Sequence, residues 1–445
     1  MKWIMVLLVA IATMIIAGCD KDDSMTPNVS SSTIKVTIEN VAMEKEFESS
    51  GVFNTPVGGT MPAPIGPGEA YEFIFKATPG SKLSFATMMV QSNDFFYAPG
   101  ENGIELFTGS TPNSGDITDQ IMLWDAGTEV NQEPGLGEDQ APRQQGPNTG
   151  AVDGDNTVRL APDTYSNLPM VTDVLQVTLT SLSDHEFKVK IENKSTENTL
   201  MTSDNNSTAV PLAPGVFVVH KNNNPLFVPG AMTPDNGLEA LAEDGDPTPL
   251  FNVLQPKTGI THILAPGVFA VTTGSNVLFE SGMTDKGEGL EALAEDGDPS
   301  GLASAVQNKT GVSQSGIFDT PVGSGAAGPA LPGTAYEFTV EVEEGDRLFF
   351  ATMMVQSNDL FFAPDGNGIE LFTNGTLVTG DITNEIMLWD AGTEVNEEPG
   401  FGPNQAPRQS GPNTGIDESG TVDLVNDGFQ YPAVNSVIKV TITQQ

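Results

Sequence analysis

Two short acidic blocks, each present twice, carry the residue types best suited to chemistry. Gln91-Ser92-Asn93-Asp94 and Trp124-Asp125-Ala126-Gly127-Thr128-Glu129 return as Gln356–Asp359 and Trp389–Glu394, displaced by 265 residues. The enclosing stretches ATMMVQSND at 86–94 and IMLWDAGTEVN at 121–131 are identical to those at 351–359 and 386–396. Asp125 and Glu129 flank a glycine turn, so their carboxylates can converge. If both blocks lie at one end of the fold, Asp94, Asp125 and Glu129 meet. Asp359, Asp390 and Glu394 then do the same in the second copy. Three acids in one place repel unless a cation neutralises them, and hard oxygen ligands select Ca2+, which takes roughly 6–8 oxygens. Backbone carbonyls, Asn93 or Asn358, and water would complete the shell. The same aspartates also suit ordinary turn capping, in which each carboxylate accepts from nearby backbone N–H groups.

The elements that must hold these blocks are strands. Ile34–Ile38, Val174–Leu179, Phe187–Ile191 and Val437–Ile442 alternate apolar and polar residues with period two. Tyr71–Phe75 and Tyr336–Val340 read as strands followed by Gly turns, and Leu83–Val90 and Leu348–Val355 as apolar, partly buried strands. Many short strands with Gly, Pro, Asn and Asp between them indicate an all-β antiparallel β-sandwich or barrel. Both blocks then fall on loops at strand ends, with Trp124 and Trp389 as core anchors. A second repeat lies between the copies: LAPGVF at 212–217 and GLEALAEDGDP at 237–247 return at 264–269 and 289–299, an offset of 52. Its leucines, spaced i,i+3 before a glycine stop, predict short helices. The acids Glu243, Asp244 and Asp246, with Glu295, Asp296 and Asp298, read as solvated turns.

The N-terminus sets the compartment. Lys2 precedes an apolar run from Ile4 to Ile16, and Ile16-Ala17-Gly18-Cys19 looks like a bacterial lipobox. Cys19 is the single cysteine of the 445-residue chain. It is therefore expected to be the lipidated residue, with disulfides and Cys-type metal sites excluded. Asp20-Lys21-Asp22-Asp23 resembles a surface-export signal, and residues 20–32 read as a tether. The chain carries 18 basic and 59 acidic residues, a formal charge of −41. Nucleic acid is a poor partner for such a field, and the membrane is met only through the lipid anchor. His185, His220 and His262 do not recur between repeats. No nucleophile triad or phosphate loop is legible.

The pairing of SND-F-F with WDAGTE about 30 residues later resembles the spondin N-terminal domain family. That family is marked by S-x-D-[WF] and W-D-A-G-T-D segments. The first aligns on Ser92, Asp94 and Phe95, and on Ser357, Asp359 and Leu360. The second aligns on Trp124–Glu129 and Trp389–Glu394. The resemblance implies a C2-like antiparallel sandwich holding one Ca2+ through three acids, here Asp94, Asp125 and Glu129, and Asp359, Asp390 and Glu394. Glutamate in place of the last aspartate departs from the pattern, as does Leu360. The expected organisation is a signal (1–19), a tether (20–32), a first spondin-like domain (33–183), paired 52-residue repeats leading into the second domain (184–310), and its core (311–445). The expected function is non-enzymatic: a surface-anchored, calcium-binding module for adhesion or matrix binding, with an extracellular glycan or protein ligand. The competing readings are a secreted polymer-acting enzyme using paired carboxylates, and a passive spacer.

Overall fold

The computed structural model describes residues 31–161, 165 and 167–445. The expected signal, Cys19 and most of the tether lie outside the described residues. The chain is mostly β-strand in antiparallel sheets, with a few short helices, and forms two sandwiches of matching design. In the first, one sheet runs in the order Arg159–Leu160, Ile121–Asp125, Phe95–Pro99, Lys82–Met89, Leu212–His220, Ser49–Phe53. The facing sheet runs Ala70–Lys76, Glu186–Asn193, Leu175–Ser181, Gly115–Asp116. The second sandwich repeats this order with Asp423–Leu424, Ile386–Asp390, Leu360–Pro364, Arg347–Met354, Leu264–Thr272 and Val312–Phe318. Its facing sheet is Ala335–Val342, Ser32–Asn40, Ile438–Gln444, Gly380–Asp381.

This pairing corrects the expected division of the chain. Ser32–Asn40 lies in the centre of a sheet of the second sandwich, between Ala335–Val342 and Ile438–Gln444. The corresponding place in the first sandwich belongs to Glu186–Asn193, the strand expected to open the second unit. The two strands are interchangeable in pattern. Ile34, Val36 and Ile38 face one core as Phe187, Val189 and Ile191 face the other. Each strand ends in a buried asparagine that ties the sheets together. Asn40 Nδ2 donates to Ala330 O at 2.8 Å, and Asn193 Nδ2 donates to Val210 O at 2.9 Å. Alternation fixes the buried face but not the sheet that receives it. The paired repeats also divide: Leu212–His220 joins the first sandwich and Leu264–Thr272 the second. One 52-residue repeat serves each sandwich, so the first sandwich is an insertion between two parts of the second.

Each sandwich has a second apolar layer outside its larger sheet. The helices Leu238–Asp244 and Thr248–Leu254 pack there against Ala86, Phe96, Trp124, Val216 and Val218. Leu290–Asp296 and Ser300–Val306 do the same around Trp389. Strands Lys82–Met89 and Arg347–Met354 are thus covered on both faces, so every residue after the first is buried, Ser84, Thr87 and Thr352 included.

Candidate functional site

The paired blocks come together at one end of each sandwich, as the strand order requires. Phe95–Pro99 and Ile121–Asp125 are adjacent antiparallel strands with Asp125 opposite Phe95, so Asp94 and the WDAGTE turn meet at the same edge. Trp124 anchors the turn. Its Nε1 donates to Ala98 O at 3.2 Å, and its ring lies 5.0 Å from that of Phe227, supplied by the repeat segment. Trp389, Ala363 and Phe279 reproduce the arrangement. Gly127 turns the chain at φ +70°, where a Cβ would stand 2.4 Å from Thr157 O. No other residue fits there.

Asp94 closes the two blocks on each other. Its Oδ2 accepts the backbone N–H groups of Thr128 (2.8 Å) and Glu129 (3.2 Å). Asp359 Oδ2 accepts those of Thr393 (2.9 Å) and Glu394 (3.1 Å). Both aspartates are fully buried, and Asp94 Oδ1 and Asp359 Oδ1 have no hydrogen-bond partner. Burial, and then the nearby carboxylate of Asp125, holds Asp94 well above the usual carboxylate range. Burial and then Asp390 and Glu418 do the same to Asp359.

The other acids divide between gathering and capping. Asp125 Oδ1 accepts from Gly127 N at 2.7 Å and Oδ2 from Asn131 Nδ2 at 2.7 Å. Asp390 bonds Gly392 N at 2.7 Å and Asn396 Nδ2 at 2.6 Å. Thus Asp94 and Asp125 come together, as do Asp359 and Asp390. Glu129 follows a different course. Its carboxylate takes Gly150 N at 2.7 Å and Asn93 Nδ2 at 3.1 Å, and Glu394 takes Gly415 N and Asn358 Nδ2 likewise. The glutamates thereby pin the returning loop, and the asparagines orient them. Among the described residues no three His, Cys, Asp or Glu side chains stand together as a ready-made metal cage.

Two acids read as solvated are buried beside this site. Glu243 and Glu295 are each 2 % exposed on their short helices. Burial pushes both carboxyls up to about 8, with Glu129 and Glu394 among the neighbours adding to the effect. Glu243 Oε2 and both Glu295 oxygens lack partners. The signal for their burial lay in the helix itself. Glu243 directly follows Leu241 and Ala242 on the face turned to the sheet, and the identical register recurs at Glu295.

The copies differ in one respect that decides their electrostatics. Arg159 stands opposite Asp125 in the sheet, whereas Asp423 stands opposite Asp390. Arg159 Nη2 lies 3.1 Å from Asp125 Oδ2 and 2.7 Å from Asp153 Oδ2, and Nη1 lies 3.2 Å from Asp155 Oδ2. The first site therefore contains its own counter-charge. Each copy keeps one bare buried oxygen, Asp94 Oδ1 in the first and Asp359 Oδ1 in the second. Asp125 and Asp390 are engaged alike by the turn glycine and a following asparagine, and only Asp125 also faces an arginine.

Fold and site together define a class: a tandem antiparallel β-sandwich with a duplicated, carboxylate-lined loop end. No family model and no curated protein matches the chain. No helix among the described residues is long and apolar enough to cross a membrane.

Proposed function

We propose that this chain is a spondin-type, calcium-binding surface lipoprotein, anchored through Cys19, whose sandwich ends present a binding surface for an extracellular glycan or protein. The observation that carries this reading is the bare, buried Asp359 Oδ1, beside a turn in which both Asp390 oxygens accept hydrogen bonds. A buried carboxylate oxygen without a donor is costly, and a hard cation relieves it. In this reading the cation rigidifies the turn, and the loops around it carry recognition. The segment Asn131–Gly150 supports that role. It returns over the site and is fastened by Gln144 Nε2 to Asp244 and by Asn148 Nδ2 to Glu239, at 2.8 Å each.

A cleft of about 550 Å3 between the sandwiches offers a site for the enzymatic alternative, but Glu48 within it is already engaged. Glu48, on its wall, accepts from Thr78 N, Ser81 Oγ and Lys221 Nζ. The cleft is lined by segments other than the WDAGTE loops. The test is an array of immobilised glycans and matrix proteins probed with the chain, in Ca2+ and in chelator. Retention of a ligand in Ca2+, lost in chelator and on Asp359→Asn, is the expected result. Release of cleaved fragments from an arrayed polymer would contradict it.

A further inference from the structure

We propose that the first sandwich docks a basic, apolar segment of a partner polypeptide: an apolar side chain enters a proline-walled hollow, and a neighbouring arginine or lysine enters an acidic hollow on the other side of Asp244. The site goes beyond the calcium reading and uses none of the turn acids Asp94, Asp125 and Glu129.

The two hollows are neighbours, because Asp244 lines both. The apolar one holds about 580 Å3, within the range of roughly 300–1,000 Å3 common to ligand clefts. Pro62, Pro64, Pro142, Pro211 and Pro214 line it, and Met88, fully buried, closes its floor. Proline locks φ, so these walls are set before a ligand arrives and little ordering remains to be done on binding.

The acidic hollow holds about 210 Å3 and is lined by Asp235, Glu239, Glu243 and Asp244. Among the described residues none of these four acids has an ion-pair partner. Neutral amides reach two of them: Asn148 Nδ2 donates to Glu239 and Gln144 Nε2 to Asp244. Glu243 is 2 % exposed, and its Oε2 has no hydrogen-bond partner. A buried carboxylate oxygen without a donor is costly, and a guanidinium brings several donors together with the opposite charge.

An acidic hollow recurs in the second copy with Asp285, Glu291, Glu295 and Asp296, and there too the buried glutamate lacks partners. The apolar hollow does not recur with the same walls. Ala327 and Ile263 stand at the repeat positions of Pro62 and Pro211. Gln356, the counterpart of Gln91 at the edge of the hollow, faces the cleft between the sandwiches instead. The composite site is therefore a property of the first sandwich. Charge selects its occupant. An apolar hollow alone takes any apolar group, but acids beside it on a chain of net charge −41 attract a cationic segment and repel an acidic one.

The test is fluorescence anisotropy of the full chain in phosphatidylcholine nanodiscs, in chelator, with a labelled hexapeptide alternating arginine and phenylalanine. Hexapeptides alternating glutamate with phenylalanine, and arginine with glycine, are the comparisons. The arginine–phenylalanine probe is expected to bind at least tenfold more tightly than either. Asp235→Asn with Asp244→Asn should weaken it at least fivefold, and Ala141→Trp, which fills the apolar hollow, at least tenfold. Val90→Gln serves if the tryptophan variant fails to fold. No binding of the arginine–phenylalanine probe, equal binding of either comparison peptide, or wild-type affinity in the acid and hollow variants would overturn the proposal. Calcium is absent throughout, so such a failure leaves the calcium reading standing.

Discussion

Arg159 lies opposite Asp125 across an antiparallel pair, its Nη2 3.1 Å from the buried Oδ2. Removing the arginine leaves that carboxylate without a counter-charge beside Asp94. Breaking a fully buried pair costs about 3–5 kcal/mol, but Arg159 is 30 % exposed, so screening lowers the figure. Arg159→Gln is expected to destabilise the first sandwich by roughly 1–2 kcal/mol in chelator. Urea unfolding followed by Trp124 fluorescence checks this, and added Ca2+ should recover part of the loss.

Gly150 and Gly415 must remain glycine. A Cβ on Gly150 would meet Glu129 Oε2 at 2.1 Å, and one on Gly415 would meet Glu394 Oε2 at 2.0 Å. Alanine at either place pushes the glutamate off its backbone N–H and frees the returning loop. The expected cost is about 1–3 kcal/mol, with faster proteolysis of 131–150 or 396–415. Gly146→Ala is the control, because nothing lies within 4 Å of its Cβ position. Equal protease sensitivity of the Gly150 and Gly146 variants would refute the clamp.

Stability without metal should fall as pH rises from about 5 to 8. Burial raises Glu243 and Glu295 from the ordinary glutamate range to about 8 in the folded chain. Between the unfolded and folded pKa values the native state holds more protons than the unfolded one. Stability is therefore full below the unfolded value and is lost through the folded value. Asp94 and Asp359, also raised, act in the same direction. Melting in chelator across this range should show the decline, and Glu243→Gln with Glu295→Gln should flatten it. A decline of unchanged slope in the double variant would remove these glutamates from the explanation.

The N-terminal strand should stabilise the far sandwich. Ile38→Ala empties a fully buried position in the second core, at a cost of about 2–5 kcal/mol. Hydrogen exchange should then accelerate in Ala335–Val342 and Ile438–Gln444, its partners. Acceleration confined to Ala70–Lys76 and Leu175–Ser181 would mean the strand belongs to the first sandwich.

These expectations show what the sequence alone makes legible. The β-class, the loop placement of both blocks and the tryptophan anchors follow from local pattern: period two, turn residues, and one large ring before an Asp-Ala-Gly turn. Which sandwich owns a strand does not. IKVTIEN and FKVKIEN offer the same buried face and the same terminal asparagine, so only the sheet distinguishes their places. The approach of Asp94 to Asp125 was readable from the repeat, because both blocks recur at one spacing. The fate of Glu129 was not, because its partner Gly150 lies 21 residues on in a loop without periodicity. Arg159 was invisible for a related reason. Its strand is two residues long, and only pairing reveals that Asp423 takes its place.

The central claim is that a hard cation completes the Asp359–Asp390 end, and melting of the chain tests it most directly. At a hundredfold excess over Kd, a ligand that binds only the native state adds about 2.7 kcal/mol, a rise on the order of 5–10 °C for a sandwich of this size. The account expects that rise on moving from chelator to Ca2+, and its loss on Asp359→Asn. A midpoint identical in Ca2+ and chelator would contradict it.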